Sequence, residues 1–107
     1  SAVDRKFAAL ADPARRRTVE MLCARPRRPS ELGEALGLPA PAVSRHLRAL
    51  KDSGLVEERI DDVDARVRIY EIRDGAMNDL KDWLAKTEEL WASQLAAFKR
   101  HVDKKRK

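Results

Sequence analysis

The sequence predicts an α+β domain, mostly helical, with one small β-hairpin. Three observations carry that reading: apolar residues at helical spacing from Val3 to Leu50, a stretch from Val56 to Ile72 in which the period falls to two, and a return to helical spacing from Met77 to Val102. A chain of 107 residues matches the usual size of one domain, so a single domain with one core is expected, together with whatever surface it lends to a partner.

Residues 3–24 read as two helices. Val3, Phe7 and Leu10 recur at helical spacing, and Asp12-Pro13 then supplies an N-cap followed by proline at the first helical position. The second helix carries Arg15-Arg16-Arg17 and runs through Val19 and Leu22 to the Pro- and Arg-rich connector 25–29. Residues 30–53 read as a pair of short helices. Ser30 caps the first, with Leu32, Ala35 and Leu36 inward and Gly37 ending it. After Leu38-Pro39 the second places Val43, Leu47 and Leu50 at i, i+4 and i+7, with Gly54 just past its end. Two helices joined by a turn of three or four residues that contains glycine make a helix-turn-helix, whose second member lies in the major groove of DNA.

Residues 55–73 read as the hairpin. Val56, Glu58 and Ile60 alternate, as do Val67, Ile69 and Glu71, with Tyr70 and Ile72 adding strand-forming side chains around an aspartate-rich loop at 61–66. A hairpin directly after a helix-turn-helix makes the winged form of that fold. Asp74-Gly75 then opens a long helix over 75–103, in which Met77, Leu80, Leu84, Trp91, Leu95, Phe98 and Val102 hold a helical period, followed by a solvated basic tail at 104–107. That stripe is longer than one small domain can cover. Trp83, Leu84, Trp91, Leu95 and Phe98, joined by Phe7 and Leu10 of the first helix, are therefore expected to bury against a second copy, making a homodimer.

Charge and composition narrow the function. Formal net charge is +5 and the isoelectric point about 9.7, with Arg dominating up to Arg73 and Lys from Lys81 onward. An anionic partner suits that balance, and the helix-turn-helix makes double-stranded DNA the partner of choice. Cys23 stands alone, which excludes an internal disulfide and fits a reducing cytoplasm. Neither a membrane span nor a signal peptide is legible, so a soluble cytoplasmic protein is expected. His46 and His101 have no nucleophile motif or phosphate loop beside them, so no enzyme and no cofactor are expected.

With Val43, Leu47 and Leu50 inward, a helical wheel turns Pro41, Arg45, Arg48 and Asp52 to solvent, with the small Ala42 and Ala49 beside them and Ser44 and His46 on the flanks. Arg45 is the first candidate for direct base reading, because a guanidinium pairs with guanine N7 and O6 in a bidentate way. Arg48, Lys51, Ser44 and His46 can reach phosphates or base edges, as can Arg59, Arg66 and Arg68 on the hairpin. Asp61, Asp62 and Asp64 place opposing charge on the same loop.

The segment LADPARRRTVEMLCARPRRPSELGEALGLPAPAVSRHLRALKDSGLVEER resembles the ArsR/SmtB family of winged-helix repressors. The likeness rests on Leu10-Ala11-Asp12-Pro13 with Arg15-Arg16, on Ser30-Glu31-Leu32, on Val43-Ser44-Arg45-His46-Leu47 with Leu50, and on Gly54-Leu55-Val56. It implies a homodimer joined through the first and last helices, operator binding by the fourth helix and the wing, and often control of its own promoter. By position it puts DNA-reading sites on Ala40, Pro41, Ser44 and Arg45. Where the family commonly has a small polar cap residue and a glutamine, this chain has Pro39 and Ala40, so a cap and one phosphate contact are lost, while Ala40 can still meet a thymine methyl.

The resemblance also brings metal sensing into view. One family site needs a Cys-x-Cys pair where Arg28 and Ser30 stand, and a second needs His and carboxylate ligands along the last helix, which offers His101, Asp79, Asp82, Glu88 and Glu89 mostly at unsuitable spacings. No metal site is expected, and the chain is grouped with members lacking metal ligands. Cys23 is expected to be a small core residue, with redox sensing as the alternative. The remaining alternatives are a metal-responsive repressor and a winged-helix module that binds an acidic protein. Trp83 and Trp91 could line a pocket between subunits, but no small-molecule effector is specified by the sequence.

Overall fold

The computed structural model describes residues 1–105 and divides into two units, one over residues 1–77 and one formed by the last helix. The first unit contains α1 (Ala2–Leu10), α2 (Pro13–Ala24), α3 (Pro29–Leu36), α4 (Ala40–Asp52), β1 (Val56–Ile60) and β2 (Arg68–Ile72); the second is α5 (Asn78–Lys105). The two strands form an antiparallel hairpin, so the winged helix-turn-helix is present as an ordered series of elements.

The corner between α1 and α2 is built by four side chains, Asp12, Pro13, Arg15 and Arg16. Asp12 accepts hydrogen bonds from the backbone amides of Ala14 (2.8 Å) and Arg15 (3.2 Å), and Pro13 occupies the first helical position. Arg15 Nε donates to the carbonyl of Ala9 at 2.6 Å, and Arg16 Nη1 to those of Leu10 and Ala11 at 2.8 and 3.1 Å. Two cations of α2 thus satisfy the last carbonyls of α1, where the helix dipole also favours positive charge. The inward side of α1 is Lys6 and Ala9, leaving Phe7 exposed and Leu10 half-buried; Lys6 Nζ donates to the carbonyl of Ala76 at 2.6 Å.

Helix α3 begins two residues earlier than a Ser30 cap implies. Pro29 takes the first helical position, which its fixed φ and missing N–H suit, so the cap falls on Arg28 and Ser30 lies inside the first turn. Arginine has no acceptor to offer. Glu31 caps instead, its carboxylate accepting from the Arg28 amide at 3.2 Å and pairing with the guanidiniums of Arg25 and Arg28. Only Leu32 of α3 is fully buried; Leu36 is half-buried and Ala35 is exposed, contrary to expectation. Gly37 and Gly54 end α3 and α4 at φ of 65° and 86°, the left-handed region in which a Cβ is strained.

The core gathers Leu22, Leu32, Val43, Leu47, Leu50, Leu55 and Val56, together with Thr18, whose hydroxyl donates to the Ala14 carbonyl. Ala42 is buried with Val43, so the inward stripe of α4 is wider than the three-residue pattern and Ala42 is not on the open face; Ala49 is half-buried. In the hairpin Val56 pairs with Ile72, Glu58 with Tyr70 and Ile60 with Arg68, which puts Ile69 and Glu71 on the other face. The loop runs over 61–67 and includes Val67, whose carbonyl accepts from Asp61. The connector before α3 supplies an unanticipated third partner: Arg27 and Tyr70 exchange two backbone hydrogen bonds, of 3.0 and 2.8 Å.

Helix α5 starts at Asn78, three residues later than expected, because Gly75 sits at φ 72° in a turn over 74–77. Its end is also different. Lys104 and Lys105 continue the helix, and residues 106 and 107 of the expected basic tail lie outside the described residues. Trp83, Leu84, Trp91, Leu95 and Phe98 are exposed along it, as is Leu90, which the sequence pattern did not single out. No helix among the described residues is long and apolar enough to cross a membrane.

Candidate nucleic-acid interface

Helix α4 owes its outward face to its inward one. Because Ala42, Val43, Leu47 and Leu50 are buried, Ala40, Pro41, Ser44, Arg45, Arg48 and Lys51 are left exposed along the other side. Its first turn is bare: Pro39 is the cap residue and makes no side-chain hydrogen bond, while Ala42 and Val43 donate to its carbonyl. His46 is half-buried, and its charge helps hold the Asp12 carboxyl below its ordinary range, the leading cause being the hydrogen bond from the Arg15 amide. His46 is thereby placed towards the α1–α2 corner.

The cations of this face fall into two kinds. Arg45 and Arg48 make no hydrogen bond or ion pair among the described residues, so two guanidiniums one helical turn apart stand open to solvent. The three arginines expected to act from the wing, by contrast, each have a carboxylate. Arg59 pairs with Glu71 at 3.4 Å, Arg66 with Asp64 at 3.2 Å, and Arg68 with Glu58 at 4.0 Å. Lys51 shares Glu58 at 3.9 Å. The Arg66 side chain and amide hold the Asp64 carboxyl below its usual range.

The hairpin register separates the expected wing contacts. Arg68 lies on the Glu58 and Tyr70 face, whereas Arg59 lies on the opposite face across from Ile69. Arg66 is in the loop, near Val63, which is 94 % exposed. Tyr70 donates its hydroxyl to Glu58; burial, that hydrogen bond and the Glu58 charge push the Tyr70 hydroxyl up to about 12.

Sequence reasoning singled out neither the Tyr70–Glu58 pair nor the capping arginines. The signal that could have found the pair is a double carboxylate, Glu57-Glu58, in one strand of a hairpin whose other strand carries a tyrosine. Cys23 is corrected: it is exposed, because it falls one residue past Leu22 and rotates out of the Thr18, Val19 and Leu22 stripe. Among the described residues no three His, Cys, Asp or Glu side chains gather as a metal-binding group.

Taken together, a helix-turn-helix with an open arginine pair and an adjoining β-wing define a winged helix-turn-helix DNA-binding transcriptional regulator. Residues 12–58 match the family model described as bacterial regulatory protein, arsR family. Over 100 residues the chain is 33% identical to the HTH-type transcriptional regulator Rv2034 of Mycobacterium tuberculosis, covering 94% of this chain and 88% of the relative. The chain belongs to the arsR family of bacterial regulatory proteins. Among solved structures, it is similar to an ArsR-like transcriptional regulator from Rhodococcus sp. RHA1, with 28% identity, a TM-score of 0.78 and coverage of 92% of this chain and 91% of that one. It is also similar to the homodimeric winged helix-turn-helix DNA-binding domain of Mb0332 from Mycobacterium bovis, with 28% identity, a TM-score of 0.63 and coverage of 83% and 82%.

Proposed function

We infer that this regulator is a cytoplasmic homodimeric repressor that reads an inverted repeat, with one α4 in each of two successive major grooves and half-sites about one helical turn apart. The observation that carries the reading is the open pair Arg45 and Arg48 on the outward side of α4. Arg45 reads a guanine edge; Ala40 and Pro41 meet the groove wall; Ser44, His46, Arg48 and Lys51 meet phosphates or neighbouring bases. Arg66 and Arg68 add backbone contacts from the wing, and Arg59 contributes from the opposite face.

The second copy is supported by α5, whose exposed Trp83, Leu84, Trp91, Leu95 and Phe98 exceed what a lone chain leaves to water; Phe7 and Leu10 of α1 are assigned to the same interface. The homodimeric Mycobacterium bovis relative has the same class of fold. Control of its own promoter is part of the same reading, supported by the family resemblance alone. The chain acts by binding, not by catalysis.

The test is selection of genomic fragments bound by the purified protein, followed by salt titration on the selected fragment and on random duplex. A shared inverted repeat, bound at least about a thousandfold more tightly than random duplex, is the expected result. Equal affinities at every salt concentration would leave a protein-binding module as the better reading.

A further inference from the structure

The surface that carries Arg48 and Lys51 also carries a carboxylate. Glu58 lies in β1, directly across the hairpin from Tyr70. Its Oε1 is 3.9 Å from Lys51 Nζ, in the last turn of α4, and 4.0 Å from Arg68 Nε in β2. Its Oε2 accepts the Tyr70 hydroxyl. With Ser44, Arg48, Lys51, Asp52 and Tyr70 it lines a concavity of about 370 Å³ between α4 and the hairpin.

Stability does not account for this arrangement. Both ion pairs are long and their cations half-exposed, a class that contributes almost nothing to folding. Against a polyanion the same charge counts, because it repels phosphate and occupies the two cations that would otherwise neutralise it. The Tyr70 hydroxyl fixes the carboxylate in place and stays protonated throughout the neutral range.

We propose that Glu58 is a specificity-determining residue, whose carboxylate competes with DNA phosphates for Lys51 and Arg68. The inference rests on the DNA-reading role of α4 given above. On random duplex, phosphate contacts supply essentially all the attraction, and no fixed register rewards the order that Glu58 imposes, so only the competition and the repulsion remain. On the operator, base contacts set the register, and Lys51 and Arg68 meet phosphates from positions in which they are already held. Glu58 therefore weakens random binding more than operator binding.

The experiment measures the affinity of wild-type protein, Glu58→Gln, Tyr70→Phe and Glu57→Gln for the selected operator and for random duplex across a salt series. Glu57→Gln changes net charge equally on the opposite face of the same strand, and thermal melts confirm that each variant folds. Glu58→Gln should bind random duplex roughly three- to tenfold more tightly, with a salt slope steeper by about 0.9 for each cation released. Its operator affinity should rise less, so the discrimination ratio falls. Tyr70→Phe should move in the same direction by a smaller amount, and Glu57→Gln should leave the ratio unchanged.

Unchanged or weaker random binding by Glu58→Gln, an equal gain on both duplexes, or the same effect from Glu57→Gln overturns the proposal. A wild type that prefers its operator, beside a Glu58→Gln variant of the same ratio, removes this inference alone. A wild type without preference removes the DNA-reading role as well.

Discussion

Arg45 and Arg48 differ from the other arginines of the candidate interface in having nothing to give up. A guanidinium without a carboxylate partner loses only water on meeting a base or a phosphate, so its contact carries its full value. Arg45→Ala should weaken operator binding by about 1–3 kcal/mol, in gel shift or calorimetry, and relax preference at one base pair. Arg48→Ala should weaken operator and random duplex alike and reduce the salt slope by about one. At the α1–α2 corner the effect is on stability. The Asp12 carboxyl is held below its ordinary 3.8, chiefly by the Arg15 amide, so its ionised form favours the folded chain above that value and the benefit disappears as pH falls through the lowered one. Asp12→Asn should therefore melt below wild type at pH 7, with the two curves converging as the pH is brought well below 4. Arg15→Ala, which strips the Ala9 carbonyl of its donor, should cost about 1–2 kcal/mol in denaturant titration without changing the salt slope of DNA binding.

At the scale of elements, helix ends decide how much of the fold was legible. The starts of α2 and ends of α3 and α4 were readable because Asp12-Pro13, Gly37 and Gly54 each carry a local backbone demand. The start of α3 was misread by two residues because serine and proline compete for it, and proline's fixed φ wins. The start of α5 was misread by three, since a left-handed Gly75 prevents the helix that the apolar spacing alone would allow. Hairpin register was not legible at all: it follows from the seven-residue loop and from the Arg27–Tyr70 pairing, and that pairing joins segments far apart in the chain. Of the site, the open side of α4 was readable from periodicity, while the carboxylate partners of the wing arginines were not, because they depend on that register. Gly37→Ala tests the same principle. No atom lies near its missing Cβ, so the cost is the left-handed backbone alone, about 1 kcal/mol, or a fall in melting temperature of roughly 4–8 °C.

For the molecule as a whole, the exposed aromatic surface of α5 calls for a partner. Trp91 and Phe98 are 65% and 66% exposed, areas of aromatic surface that a monomer rarely leaves in water. Under the homodimer reading, Trp91→Ala together with Phe98→Ala should raise the dimer dissociation constant at least tenfold in analytical ultracentrifugation. The melting temperature of wild type should rise with protein concentration, and that of the double variant should not. Operator binding should fall with dimerisation, since two half-sites read by unlinked chains lose the gain of effective concentration.

The stitch between Arg27 and Tyr70 has one more effect, on how this chain behaves in a crowd. A two-stranded ribbon has two raw margins at which a foreign strand could attach, and backbone at residue 27 seals part of the one along β2. The margin left open is β1, where Glu57, Glu58 and Arg59 follow one another and make a poor template for a hydrophobic stranger. The wing is in this way guarded against pairing edge to edge with a foreign strand.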